Sequence, residues 1–180
     1  AGAMNALILP HGNIFITDTY VNAKPNAAQL AKITEMATED MRRFGIEPKV
    51  ALMSNSNFGS IDNDTSRLMQ DTLELVRAAQ PDLEVDGEMQ GDVALMEEMR
   101  HSILPDSTLN GSANLLVMPN VEAANISYNL LRVSAADGVT IGPILMGLNK
   151  PVHILTPISS VRRIINMVAV AAVEAQRQDE

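Results

Sequence analysis

Cysteine is absent from this sequence, which excludes disulfides, a thiolate nucleophile and cysteine-ligated zinc. Tryptophan is absent too, and aromatic residues make up only 3% of the chain. A core must therefore rest on Leu, Ile, Val, Ala and the 11 Met, a residue suited to filling irregular gaps. Positive charge is scarce: 13 Lys and Arg stand against 22 Asp and Glu, for a formal charge of −9. Such a field repels phosphate backbones, so nucleic acid is not an expected partner. The bases that are present include two pairs, Arg42-Arg43 and Arg162-Arg163, each able to meet a phosphate or to form a solvated helix face. No apolar run reaches the ~18 residues of a membrane span, and the N-terminus has no secretory pattern. No membrane partner is expected, and the expected location is cytoplasmic. His11, His101 and His153 are scattered without metal-ligand spacing, and no G-x-S-x-G elbow offers a hydrolase triad a foothold. No metal or cofactor is expected to bind this segment.

What is present is a globular balance, 46% hydrophobic and 19% charged over 180 residues, enough for one domain spanning 1–180 with a real core. Residues 5–9 and 14–17 are short apolar runs around Pro10-His11-Gly12-Asn13, the pattern of a hairpin. Asn26 and Gln29 form a capping box for a helix with Leu30, Ile33, Ala37 and Met41 on its buried stripe, ended by Gly45. Lys49–Ser54 is a continuous apolar strand, as in a sheet covered on both faces. A polar loop, 55–63, leads to a helix capped by Asp64, with Leu68, Leu75 and Ala79 on one face, closed by Pro81. A brief strand at 83–85, a helix over 90–100, a loop over 101–112, a strand over 114–118 and a helix over 121–131 follow. Residues 134–139 are polar and expected to be exposed.

The stretch from Gly142 to Gln176 reads as a Gly-Pro turn, a strand over 152–155, a turn at Thr156-Pro157 and a long helix capped by Ser159 or Ser160. Val161, Ile164, Ile165, Val168, Ala172 and Ala175 form one apolar stripe on that helix, yet Met167, Val170, Ala171 and Val173 are apolar as well. A helix apolar nearly all round needs more than its own sheet to cover it. Alternating strands and helices give an α/β fold: a three-layer, mainly parallel sheet with helices on both faces.

In such a sheet, ligands bind beyond the carboxyl ends of the strands. Ser54, Ser56, Gly59 and Ser60, just after the strand at 49–54, could wrap a phosphate with hydroxyls and backbone N–H groups. A plain βα loop has the same composition, and the loop matches neither the Walker nor the GxGxxG pattern. Asp86, Glu88 and Asp92 could do acid–base work or hold a metal, although Asp92 serves equally well in capping. Asn120, Glu122 and Asn125 open the helix at 121, a natural anion site made of ordinary first-turn residues.

The blocks ALMSNSNFGS, DGEMQGDVAL, NGSANLLVMPNVEAANISYNLL and GPILMGLNKPVHILTP, in that order, resemble the phosphate acetyl/butyryl transferase family over nearly the whole chain. GNIFITDTYV, RRFGIEPKVALMSNSNFGS and the stretch from Gly138 to Gln176 resemble one offshoot in particular, the C-terminal transferase-like domain of bacterial NADP-dependent malic enzymes. The resemblance implies a fold of two subdomains with an acyl-CoA cleft between them. This chain resembles the second subdomain plus a final helix that returns to pack on the first. It further implies acetyl-CoA or a related acyl-CoA as ligand, with Ser54, Ser56, Gly59, Ser60, Asn125, Gly142, Pro143 and Thr156 as candidate contacts. Self-association as a homodimer or higher is implied too, as are malic enzyme domains on the same chain that carry NADP and a divalent metal.

The departures from the family bear on catalysis. Where the transferases carry a Ser-Arg pair, and an Asp six residues beyond that Arg, this sequence has Thr156, Pro157 and Arg163. The family's Gly-Asn-Ile with a following Lys is Ala124-Asn125-Ile126 and Asn129. Pro157 offers neither charge nor donor, and Arg163 inverts the sign at a carboxylate position. No catalytic residue is assigned. The expectation is a non-catalytic domain that senses acetyl-CoA and builds an oligomer. The alternatives are a working phosphate acetyltransferase and a ligand-free dimerisation module.

Overall fold

A computed structural model describes residues 1–10, 12–134, 139–157 and 159–177. Two antiparallel strands open the chain, β1 (Gly2–Leu9) and β2 (Gly12–Thr17), so the expected hairpin forms; His11, in its turn, lies outside the described residues. Then come α1 (Ala27–Arg43), β3 (Lys49–Met53), α2 (Asp64–Ala79), β4 (Glu84–Met89), the short helices α3 (Gly91–Leu95) and α4 (Glu97–Ile103), β5 (Leu115–Val117), α5 (Val121–Ser134), β6 (Val139–Met146) and α6 (Val161–Arg177). The strands form one sheet in the order β4-β3-β5-β2-β1-β6. Neighbours from β4 to β2 are parallel, while β1 runs against both β2 and β6. Five strands therefore point one way, and their carboxyl ends share one edge.

Both faces are covered, as the apolar strands require. Leu30, Ile33, Ala37 and Met41 of α1, with Met69, Leu73 and Val76 of α2 and Met167 of α6, pack on Met4, Phe15, Val50, Leu52 and Ile144. Val93 and Ala94 of α3, with Ala124 and Tyr128 of α5, cover Leu7, Ile16, Ala51 and Leu116 on the other face. Local signals hold at α1. Asn26 accepts from the Gln29 N–H, and the Gln29 side chain accepts in return from the Asn26 N–H. Gly45 and Ile46 close the helix by donating to Arg42 O and Met41 O, with Gly45 at φ +76°.

Several expectations need correction. The last strand is β6, not 152–155, which has no regular structure; the Gly142-Pro143 pair read as a turn lies inside β6. It is tolerated there because the β1–β6 register shifts between Met4 and Ala6, so Asn5 stands opposite a bulge and no ladder bond is asked of the proline. The brief strand at 83–85 is the six-residue β4, and the helix over 90–100 is two helices broken at Met96, whose backbone is extended. Asn63, not Asp64, caps α2 through a box with Ser66. The buried side of α2 is Ser66, Met69, Thr72, Leu73 and Val76, leaving Leu75 exposed. Of the segment 134–139, residues 135–138 lie outside the described ones, and Val139 begins β6.

Ser160 caps α6 by accepting from Arg163 N–H at 3.3 Å. The apolar stripe of α6 does not face the sheet. Val161 is 73% exposed, Ile165 61% and Val168 62%, whereas the sheet side presents Arg163, Met167, Val170 and Glu174.

Candidate functional site

At the carboxyl edge of the sheet, two loops are wound around carboxylates of the chain itself. Asp18, directly after β2 and nearly fully buried, accepts from the N–H groups of Ala3, Tyr20, Val21 and Asn22 at 2.9–3.1 Å. After β3, the loop carrying Ser54, Ser56, Gly59 and Ser60 closes on Glu88 of β4. Gly59 N–H donates to Glu88 Oε1 at 2.7 Å, and Gln70 Nε2 of α2 donates to Oε2 at 3.0 Å. Ser56 adds its hydroxyl. Burial works to raise the Glu88 pKa, but the hydrogen bonds from Ser56, Gly59 and Gln70 outweigh it and hold the carboxyl below the usual range.

The rest of the loop is equally occupied. Ser56 N–H donates to Ser54 Oγ, Asn57 N–H to Ser60 Oγ, Phe58 N–H to Glu88 O and Ile61 N–H to Ser56 Oγ. The backbone N–H groups of Ser54, Ser56, Gly59 and Ser60, expected to wrap a phosphate, are thus engaged within the chain. Asp86, read as a possible partner of Glu88, has its own donors: Ser107 Oγ at 2.7 Å, Thr108 N–H at 3.2 Å and Arg77 Nη2 at 3.2 Å. Asp92 is exposed and accepts from Val93 N–H. Among the described residues, no group of three or more His, Asp or Glu is placed to hold a metal ion.

Beside this loop, between α3 and α5, lies a groove of about 570 Å³ beyond the ends of β3 and β5. Its walls include Met53, Leu95, Met118 and Leu131, with Ser54 and Ser127 among its polar members. Of the candidate loop residues, Ser54 alone lines it. Asn120 caps α5 by accepting from Ala123 N–H at 2.9 Å.

Of the remaining candidates, Asn125, Gly142 and Pro143 gather in a second place, and Thr156 does not join them. Asn125 Nδ2 donates to Thr19 O at 3.4 Å, and Thr19 Oγ1 donates to Asn5 Oδ1 at 2.6 Å. Asn5 lies against Gly142, where an added Cβ would come within 2.9 Å of Asn5 Nδ2 and of Met4 O. Gly142 O in turn accepts from Arg163 Nε at 2.9 Å. Pro143 is buried beside it in β6. Thr156 turns inward on its own segment, donating its N–H to Ser159 Oγ at 3.1 Å, and Pro157 is exposed. Polar atoms in these segments that are buried with no partner include Asn5 Nδ2, Thr17 Oγ1, Tyr128 OH, His153 Nε2 and Arg163 Nη2. Sequence reasoning missed Asn5 and Thr19. The visible signal for Asn5 was a lone amide interrupting the apolar run GAMNALIL.

A six-stranded mixed sheet covered by helices on both faces defines the class, an α/β fold. The sequence pattern of the phosphate acetyl/butaryl transferase family matches residues 1–172, and the chain belongs to that family. It is 67% identical over 99% of its length to a part, 24%, of the NADP-dependent malic enzyme of Escherichia coli strain K12. Its identity to the phosphate acetyltransferase of Paracoccus denitrificans is 40%, over 92% of this chain and 52% of that one. A crystal structure of a phosphotransacetylase from Streptococcus pyogenes superposes with a TM-score of 0.91 at 31% identity, covering 98% of this chain and 54% of the other. The chain therefore spans about a quarter of the malic enzyme and about half of the transferases.

Proposed function

We propose that this chain is the non-catalytic, acetyl-CoA-sensing and oligomerising part of an NADP-dependent malic enzyme, an oxidoreductase that decarboxylates malate to pyruvate. The higher identity to malic enzymes than to acetyltransferases supports the parent. NADP and a divalent metal would then belong to the part of such an enzyme that this chain does not span.

The observation that carries the non-catalytic reading is the disposition of donors at the carboxyl edge. The loop that could cradle a phosphate is spent on Glu88, and Arg163 is bound to Gly142 O. A transferase needs fixed charge where acyl phosphate forms. What the edge does offer is an apolar groove with Ser54 and Ser127 among its walls, suited to a flexible acylated arm more than to a bare anion. A domain that binds the ligand without consuming it can shift an equilibrium between two states by its difference in affinity for them.

Calorimetric titration of acetyl-CoA into this chain, and into a longer chain carrying the rest of the transferase-like region, tests the reading. Binding to the longer chain with weak or no binding here is expected, because the cleft needs both halves. Turnover to acetyl phosphate in a coupled assay would instead establish the acetyltransferase. Silence from both chains would favour a ligand-free dimerisation module, which the exposed stripe of α6 supports.

A further inference from the structure

The attachment of α6 to the body is unusually polar. At its start, Arg163 Nε holds Gly142 O, and Gly142 N–H points at Met167 Sδ at 3.1 Å. Toward its end the helix does not close on α1. A cavity of about 290 Å³ lies between them, floored by Met36, Phe44, Leu145 and Val173 and edged by Asp40 and Glu174. Glu174 Oε2 lies 3.1 Å from His153 Nε2. His153 Nδ1 accepts from Leu145 N–H at 3.3 Å, while the buried Nε2, though close to Glu174, makes no hydrogen bond.

Charged and titratable groups of several elements face Asp40 among the described residues. On α1 itself are Glu39 and Arg43, on α6 is Glu174, and in the segment after β6 are Lys150 at the cavity edge and His153 beyond Glu174. Arg43 Nη1 lies 2.8 Å from Asp40 Oδ1, but its side chain is 56% exposed and water screens the attraction. Burial is the larger influence, and with the charge of Glu174 added it pushes the Asp40 carboxyl up to about 6.

We infer that this gap is a proton-operated latch, in which the C-terminal half of α6 seats on α1 when Asp40 is neutral and stands off when Asp40 and Glu174 are both charged. The sign follows from the raised value. Closing the gap would bury Asp40 further and bring it nearer Glu174, so the seated state binds the extra proton. Seating is therefore strongest below about 6, the value of Asp40 with the gap open, and is lost as pH rises above it. The start of the helix stays tied at Gly142, so the motion is a swing of the far end. That swing re-aims the apolar outer stripe that includes Ile165 and Val168, coupling proton binding to whatever packs there.

Hydrogen exchange followed by mass spectrometry on this chain tests the latch between pH 5 and 8, with rates corrected for intrinsic exchange. Protection in the second half of α6 is expected to fall about tenfold across that range, one pKa unit's worth, while β3 holds steady. Asp40→Asn should keep the low-pH protection throughout. Should that variant fail to fold, Glu174→Gln removes the like charge and should reduce the slope, leaving the part due to burial of Asp40. His153→Gln should leave the slope in place. A flat wild-type profile overturns the latch. So does a slope that survives both carboxylate substitutions, or one that disappears with His153 alone.

Discussion

Arg163 Nε donates to Gly142 O at 2.9 Å, tying the first turn of α6 into the bulge of β6. One of its two terminal nitrogens, Nη2, is buried without a partner. The residue therefore contributes one charged hydrogen bond and carries one desolvation cost. Arg163→Met, which keeps the aliphatic stem, is expected to destabilise the chain by only about 1 kcal/mol in urea denaturation, less than a fully satisfied buried arginine would lose. A loss several times larger would mean that Nη2 has a strong partner after all.

The Glu88 carboxylate gives a larger effect with a defined pH dependence. Glu88→Ala strands Gly59 N–H and the Gln70 amide and is expected to cost about 3 kcal/mol. Because Glu88 is held below its ordinary range in the fold, its contribution is complete above the unfolded-state value and is lost as pH falls through the folded one. Glu88→Gln should remove that part of the acid-side slope. Urea midpoints at a series of pH values between neutral and strongly acid would measure it. Retention of the full slope would place the responsible carboxylate elsewhere.

How much of this could be read in the sequence depended on the range of each interaction. The α1 capping box and the Gly45 terminus lie within a few residues and were legible. The doubly covered sheet was legible from the apolar runs at β3 and β5. Strand β6 was not, because Gly142-Pro143 has turn chemistry and only the distant Asn5 bulge accommodates it. The site suffered in the same way. The Ser54–Ser60 loop looked free to bind an anion because its actual anion, Glu88, sits on the next strand. The contact between Asn125 and Thr19 spans 106 positions and no local pattern encodes it.

Arg100 provides a test of the other face. It is fully buried, and its guanidinium donates to Val93 O, Ala94 O, Leu109 O and Gly111 O, pinning the 104–113 segment to α3. Burial lowers its pKa, with Glu97 and Asp86 opposing that change. Arg100→Met leaves those four carbonyls short of donors in a region from which water is excluded. A cost of about 3–5 kcal/mol is expected, with exchange protection lost first in 104–113. Arg100→Lys should rescue little, since one ammonium cannot span acceptors on two segments.

The outer stripe of α6 separates a packing role from a binding role. Ile165 and Val168 are each more than three-fifths exposed, so their replacement should alter the stability of this chain by no more than about 0.5 kcal/mol. An apolar row that contributes so little inside the chain is explained by burial against another surface. If that surface is a second copy, Ile165→Glu with Val168→Glu should shift the molar mass from dimer to monomer by light scattering at micromolar concentration, with the urea midpoint almost unmoved. If it is the rest of a transferase-like unit, the self-association of this chain should be unchanged. The same pair of substitutions placed in a malic enzyme that carries this segment should then loosen the junction, seen as faster proteolysis between the two halves. A large fall in the stability of the isolated chain would argue against both, because it would mean that the stripe already packs within it.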